Sequence, residues 1–206
     1  MQQIIETDRI EIENNINLFK AVLKDKSNTD KLIVQKYIIH GTPYIFKNNE
    51  DKYFNLKHEI ARHFNENPAN LHMVGSGKLS FSIAPKKLWN PFSDTSDIDM
   101  AIISQRIFEN FWSELYDFNI LLKSRTENEQ KLYNRFLKNF FKGWIRPDLF
   151  PFGYPGKNKW LDYCRSISYK FSEQKVNCAI YYNFDFFEKY HISNINKLRQ
   201  EEITNE

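Results

Sequence analysis

Cysteine, glycine and proline are all scarce in this 206-residue chain, which has two Cys, six Gly and seven Pro. Two cysteines, Cys164 and Cys178, cannot build a disulfide framework, and that points to a reducing compartment. So few glycines and prolines exclude collagen-like and linker-rich classes. Long hydrophobic runs are missing too. The longest uncharged windows, residues 37–46 and 67–77, are shorter than the ~18 apolar residues of a membrane helix and contain polar groups. The first residues, Met-Gln-Gln-Ile-Ile-Glu, lack the charged-then-apolar layout of a secretory leader. The expectation is a soluble, cytoplasmic protein without membrane partners. Its composition, 41% apolar and 27% charged, suits a folded core and argues against a disordered chain. The length suits one domain, or one core with attached helices.

Charge is distributed unevenly. Between residues 121 and 175, twelve Lys or Arg stand against five Asp or Glu, a local +7 in a chain whose net charge is +3. An excess of this size projects a positive field over one surface, and its natural partners are polyanions such as triphosphates or RNA. An ordinary solvated helix face would carry the same residues.

The apolar spacing predicts helices around two strands. Helical stripes run through residues 8–25, 31–40 and 48–66, the last stopped by Asn67 and Pro68. Residues 44–46 read as an extended or loop segment. Leu71–Val74 reads as a buried strand ending in a tight Gly75-Ser76-Gly77 loop, and residues 97–104 as a second strand. Ser104 is placed to cap a helix bearing Phe108, Phe111, Trp112 and Leu115. The following helix places Leu132, Tyr133, Phe136, Leu137, Phe140 and Phe141 on one face. Its other face carries Lys131, Arg135, Lys138 and Lys142. Residues 143–159, with three Pro and three Gly, read as a long irregular loop with Trp144 and Arg146 as contact candidates. Residues 166–171 and 176–182 read as a strand pair around a turn at 172–175. A helix is expected from 186 to 199.

Three motifs fail on spacing. Gly75-Ser76-Gly77-Lys78 ends like a phosphate-binding P-loop, but His72 and Leu79 stand where that loop needs Gly and Ser or Thr. His58 and His63 are five apart, whereas two zinc ligands on one helix face are four apart. Cys164 and Cys178 have no Cys or His at metal spacing, so they read as packing residues.

Gly75-Ser76 followed by Ser96-Asp97-Ile98-Asp99 survives that test. Carboxylates two apart on a strand point to one side, with Ile98 turned to the other. Such a pair repels itself unless it is solvated or shares a cation. Hard oxygen ligands of this kind suit Mg²⁺, which takes one or two carboxylates plus substrate phosphates. A strand ending in Gly-Ser adds backbone N–H groups and a hydroxyl that can approach those phosphates. Together the elements describe metal-assisted phosphoryl or nucleotidyl transfer.

At these residues the chain resembles the DNA polymerase β-like nucleotidyltransferase superfamily. That group carries Gly-Ser after its first core strand and Asp-x-Asp on its second. The resemblance implies an α+β fold: a polymerase β-like nucleotidyltransferase core with a small mixed sheet flanked by helices. It implies one domain over 1–206, with a helical extension at 1–47, the core at 48–185 and a helix and tail at 186–206. Asp97 and Asp99 would be catalytic and bind Mg²⁺ or Mn²⁺. Gly75 and Ser76 would hold the triphosphate, with Lys78 and Ser96 as further nucleotide-binding residues. An NMP would pass from an NTP to a hydroxyl of a protein side chain, an RNA 3′ end or another nucleotide.

Two departures from the family pattern stand out. Twenty residues separate Ser76 from Asp97, so residues 85–95 read as an insertion beside the site, with Lys86, Lys87 and Trp89 as candidate contacts. The family's third carboxylate has Asn177 in its plausible place, and Asp185 is the only acid close by. Asn carries no charge, so the alternative is a degenerate relative that binds nucleotide, or a partner protein, as a sensor. Relatives of this kind occur in bacterial defence and toxin–antitoxin systems.

Overall fold

The two apolar runs flanking the Gly-Ser and Asp-x-Asp motifs both become strands in the computed structural model, which describes residues 6–122, 124–151, 153–171 and 174–204. In chain order the elements are α1 (Glu6–Lys24), α2 (Asp30–Ile33), α3 (Glu50–Phe64), β1 (Leu71–Val74), α4 (Ser76–Leu79), β2 (Ile98–Ile103), α5 (Gln105–Leu121), α6 (Glu127–Phe140), β3 (Trp144–Ile145), α7 (Pro155–Phe171), β4 (Val176–Tyr181) and α8 (Phe184–Thr204). The class is α+β. A small mixed sheet has the strand order β1-β2-β4-β3. Among the described residues, no helix is long and apolar enough to cross a membrane.

The chain forms two compact units. Unit 1 comprises residues 1–54, 73–99 and 188–206, and unit 2 comprises 55–72 and 100–187.

Unit 1 is organised by α1. Its buried positions Ile12, Phe19 and Leu23 pack with Ile33, Val34 and Ile38, with Leu79 and Phe81, and with Ile195 and Leu198 of α8. Each such side chain contributes about 1.5–3 kcal/mol by leaving water. After α2 the chain continues as π-helical turns over Val34–Ile39, where His40 N–H reaches back to Gln35 O at 2.9 Å. Polar latches tie α8 to this region. Arg199 pairs with Asp30 at 3.2 Å, and Glu188 accepts from Gln35 at 2.8 Å. Tyr44–Phe46, read from sequence as extended or loop, is a 3₁₀ turn that buries Phe46.

Unit 2 wraps helices around β3, β4 and the end of β2. β3 and β4 pair antiparallel, Trp144 opposite Tyr181 and Ile145 opposite Ile180. Ser104 caps α5 as expected, its Oγ accepting from Ile107 N–H at 3.2 Å. Thr126 and Glu129 form a capping box that starts α6.

Three sequence expectations fail in this unit. Residues 166–171 are the end of α7, not a strand. Trp160, Cys164 and Ile167 recur at helical spacing and are buried. The apparent alternation comes from Ser166 and Ser168, whose hydroxyls donate to the carbonyls of Tyr163 and Cys164 within the helix. Of the turn expected at 172–175, residues 172 and 173 lie outside the described residues. The long loop at 143–159 is also structured. It contains β3, a 3₁₀ turn at Pro147–Leu149 and the start of α7, with Pro155 at a first-turn position that suits its locked φ. Finally, α6 buries a narrower face than its pattern suggests: Phe136 is buried, whereas Leu137 and Phe141 are exposed.

Candidate active site

β1 carries the chain into Gly75, where φ is +70° and ψ −155°. That backbone region is essentially restricted to glycine. Space adds to the cost, because a Cβ on Gly75 would lie 3.0 Å from Asp99 Oδ2 and the carboxylate would have to shift. The second carboxylate of Asp-x-Asp therefore rests directly against the Gly-Ser turn. Ser76 opens the single turn α4, whose Lys78 and Leu79 N–H groups return to Gly75 O at 3.1 and 3.2 Å. Gly77 is packed in as well, since a Cβ there would meet Met73 Sδ at 3.3 Å.

β2 supplies Asp99, and Asp97 immediately precedes the strand in the same alternation. Ile98 and Met100 are buried, and Asp97 and Asp99 are only half-buried on the opposite face. Ser96 shapes the approach to β2. Its Oγ accepts from Ser93 N–H at 3.0 Å and its N–H donates to Ser93 O at 2.9 Å. With Thr95 Oγ1 3.0 Å from Ser93 Oγ, three hydroxyls cluster just before Asp97. Sequence reading missed Ser93 and Thr95, because a serine-rich turn carries no periodic signal.

Lys78 was expected beside the phosphates. Its side chain is buried, and its ammonium donates to the carbonyls of His40 and Gly41. Burial lowers its pKa from 10.5 to about 8. Lys78 thus fastens the Gly-Ser turn to the chain ahead of α3.

The segment expected as an insertion folds back on itself. Phe81 bridges Pro91, and Ser82 exchanges backbone hydrogen bonds with Trp89 and Asn90. Trp89 faces the interior of unit 1. Its ring centroid is 5.6 Å from that of Phe81, and its Nε1 donates to Glu202 at 3.0 Å. Lys86 and Lys87 are exposed.

Asn177 lies half-buried on β4, between buried Val176 and Cys178. Asp185 is exposed in the first turn of α8. Among the described residues no three His, Cys, Asp or Glu side chains form a metal-binding group. Asp97 and Asp99 fit instead the donor set of a hard cation completed by water and substrate phosphates.

The rejected motifs have structural roles. His63 stacks on Tyr163 with ring centroids 3.5 Å apart, and burial lowers its pKa. Cys164 and Cys178 are both buried, and a hydrogen bond with Cys178 holds the Cys164 thiol below its usual range. Arg146 makes a two-pronged bond to Asp148, with contacts of 3.0 and 2.7 Å.

No family model matches the chain, and no match was found among curated proteins or solved structures.

Proposed function

We propose that the chain is a metal-dependent nucleotidyltransferase that moves an NMP from an NTP to a hydroxyl acceptor. The observation that carries this reading is the seat of Asp99 against Gly75. A carboxylate and a turn that must be glycine share one small space, so a cation held by Asp97 and Asp99 would lie beside phosphates held at Gly75 and Ser76. Mg²⁺ or Mn²⁺ would activate the acceptor hydroxyl and stabilise charge at the α-phosphate as pyrophosphate leaves.

The chain's own residues divide the work. Asp97 and Asp99 hold the charge, on a strand whose buried face fixes their direction. Gly75 and Ser76 admit the triphosphate by backbone approach and the Ser76 hydroxyl. Ser96 sets the turn that aims Asp97. Lys78, occupied by two carbonyls, positions the Gly-Ser turn.

The second reading, a nucleotide sensor, rests on Asn177 in place of a third carboxylate. One experiment separates the two. The protein is incubated with each α-³²P NTP and Mg²⁺ or Mn²⁺, alone and with total RNA or lysate, beside Asp97→Ala/Asp99→Ala. Transfer by the wild type that is lost in the variant supports the enzyme. Metal-dependent binding without transfer supports the sensor. Absence of metal-dependent NTP binding refutes both.

A further inference from the structure

In unit 2 the helices α5 and α6 form a hairpin joined at residues 122–126, with Phe108 and Trp112 of α5 both packed on Phe140 of α6 at 5.2 Å between centroids. The outer flank of this hairpin is apolar and uncovered. On α5, Trp112, Tyr116 and Ile120 follow at intervals of four, so they form one stripe. They are 51%, 61% and 62% exposed. On α6, Leu137 and Phe141 repeat the interval at 42% and 88%. Scattered exposed apolar residues need no explanation, but two matched stripes on adjacent helices do.

A cationic stripe borders them. Lys131, Arg135, Lys138 and Lys142 are all exposed, and Lys138 and Lys142 directly follow Leu137 and Phe141. None of the four forms an ion pair with the described residues. Two acids of α5 are occupied elsewhere: Glu109 accepts from Tyr182 and Glu114 from Tyr154.

We propose that this flank is a docking surface for an amphipathic helix of a partner protein, with an apolar stripe bordered by acidic residues. A helix laid between α5 and α6 would bury both stripes, and its acids would face the four cations. Ile120 and Leu137 favour this occupant over single-stranded RNA, whose bases stack on aromatic rings and gain little from aliphatic ones. A second copy of the chain would bring the same cationic stripe with it. The surface is independent of the proposed nucleotidyltransferase activity.

The test uses the full chain and two synthetic helical peptides of about 18 residues, long enough to hold helical form. Both carry a Leu stripe, bordered by Glu in one and by Lys in the other. Fluorescence anisotropy is expected to show the Glu peptide binding about tenfold or more tightly than the Lys peptide, with the difference shrinking at high salt. Tyr116→Ser/Leu137→Gln, at exposed sites, should weaken the Glu peptide. Lys131→Glu/Arg135→Glu/Lys138→Glu/Lys142→Glu should reverse the preference. If that variant does not fold, Lys131→Gln/Arg135→Gln should reduce the preference instead. Equal binding of the two peptides overturns the proposal. So does an oligoribonucleotide that outcompetes the Glu peptide and loses binding on charge reversal. A concentration-dependent dimer abolished by Tyr116→Ser/Leu137→Gln, with no peptide binding, overturns it in favour of self-association.

Discussion

Gly75→Ala tests whether the Asp99 carboxylate lies against the Gly-Ser turn. Two costs are separable. A side chain at φ +70° and ψ −155° strains the backbone by about 1–3 kcal/mol. The new Cβ also meets Asp99 Oδ2 at 3.0 Å. Moving that carboxylate off its rotamer costs about 0.5–1.5 kcal/mol more. The whole effect is then about 1.5–4.5 kcal/mol. In an Asp99→Ala background the oxygen is gone, and the nearest remaining atom of residue 99 is its Cβ at 3.8 Å, an ordinary contact. There Gly75→Ala should cost only the backbone part. A double-mutant cycle should thus give a coupling of about 1 kcal/mol, with the two substitutions together less harmful than their sum. Urea unfolding of the four proteins, followed by circular dichroism and tryptophan fluorescence at equal slopes, measures it. Each kcal/mol corresponds to about 2–4 °C in the thermal midpoint of a chain this size. Zero coupling would refute the contact. A harmless Gly75→Ala would refute the backbone geometry as well.

Three further outcomes follow from the same structure. Lys78 has its folded pKa lowered from 10.5 to about 8, so in that window the unfolded chain holds more of the proton; stability should rise with pH from about 8 to 10.5 in the wild type, and this rise should be missing in Lys78→Met. A flat wild-type-minus-variant curve in urea unfolding across that window would contradict it. Ser104→Ala removes the α5 cap and should cost about 1 kcal/mol, read from the urea midpoint. Gly143→Ala should cost more than Gly75→Ala, because φ is +65° and a Cβ would lie 2.5 Å from the Phe186 ring, and Phe186→Ala should relieve part of it in thermal melts.

β1 and β2, which carry the Gly-Ser turn and the carboxylate pair, were legible because a four- to six-residue apolar run bounded by Gly or Ser has few other readings. Ser104 was legible because capping is local chemistry. The failure at 166–171 has a specific cause. Ser-Ile-Ser-Tyr alternates like a strand, and only the longer stripe Trp160, Cys164 and Ile167 reveals the helix. Pro147, Pro151 and Pro155 suggested one irregular loop, whereas Pro155 begins α7. At the site, the direction of Asp97 and Asp99 could be read from strand period alone. The occupation of the Lys78 ammonium could not, since its carbonyl partners at residues 40 and 41 lie far away in the chain and leave no side-chain signature.

Unit 1 is threaded from three separate stretches of chain, and its core joins Phe19 and Leu23 of α1 to Ile195 and Leu198 of α8. Unit 2 is made after α1 and ends within the first turn of α8, before Glu188. On a ribosome, residues 100–187 can collapse as soon as they emerge, while the apolar face of α1 waits for its cover. Synthesis therefore imposes an order that the finished fold conceals. The segment bearing the Gly-Ser turn and the carboxylates belongs to the late-closing unit, so the chemistry proposed for it should become competent only after α8 has been translated. A nascent chain stalled before Glu188 would present a finished α5–α6 hairpin while the core of unit 1 still lacked Ile195 and Leu198.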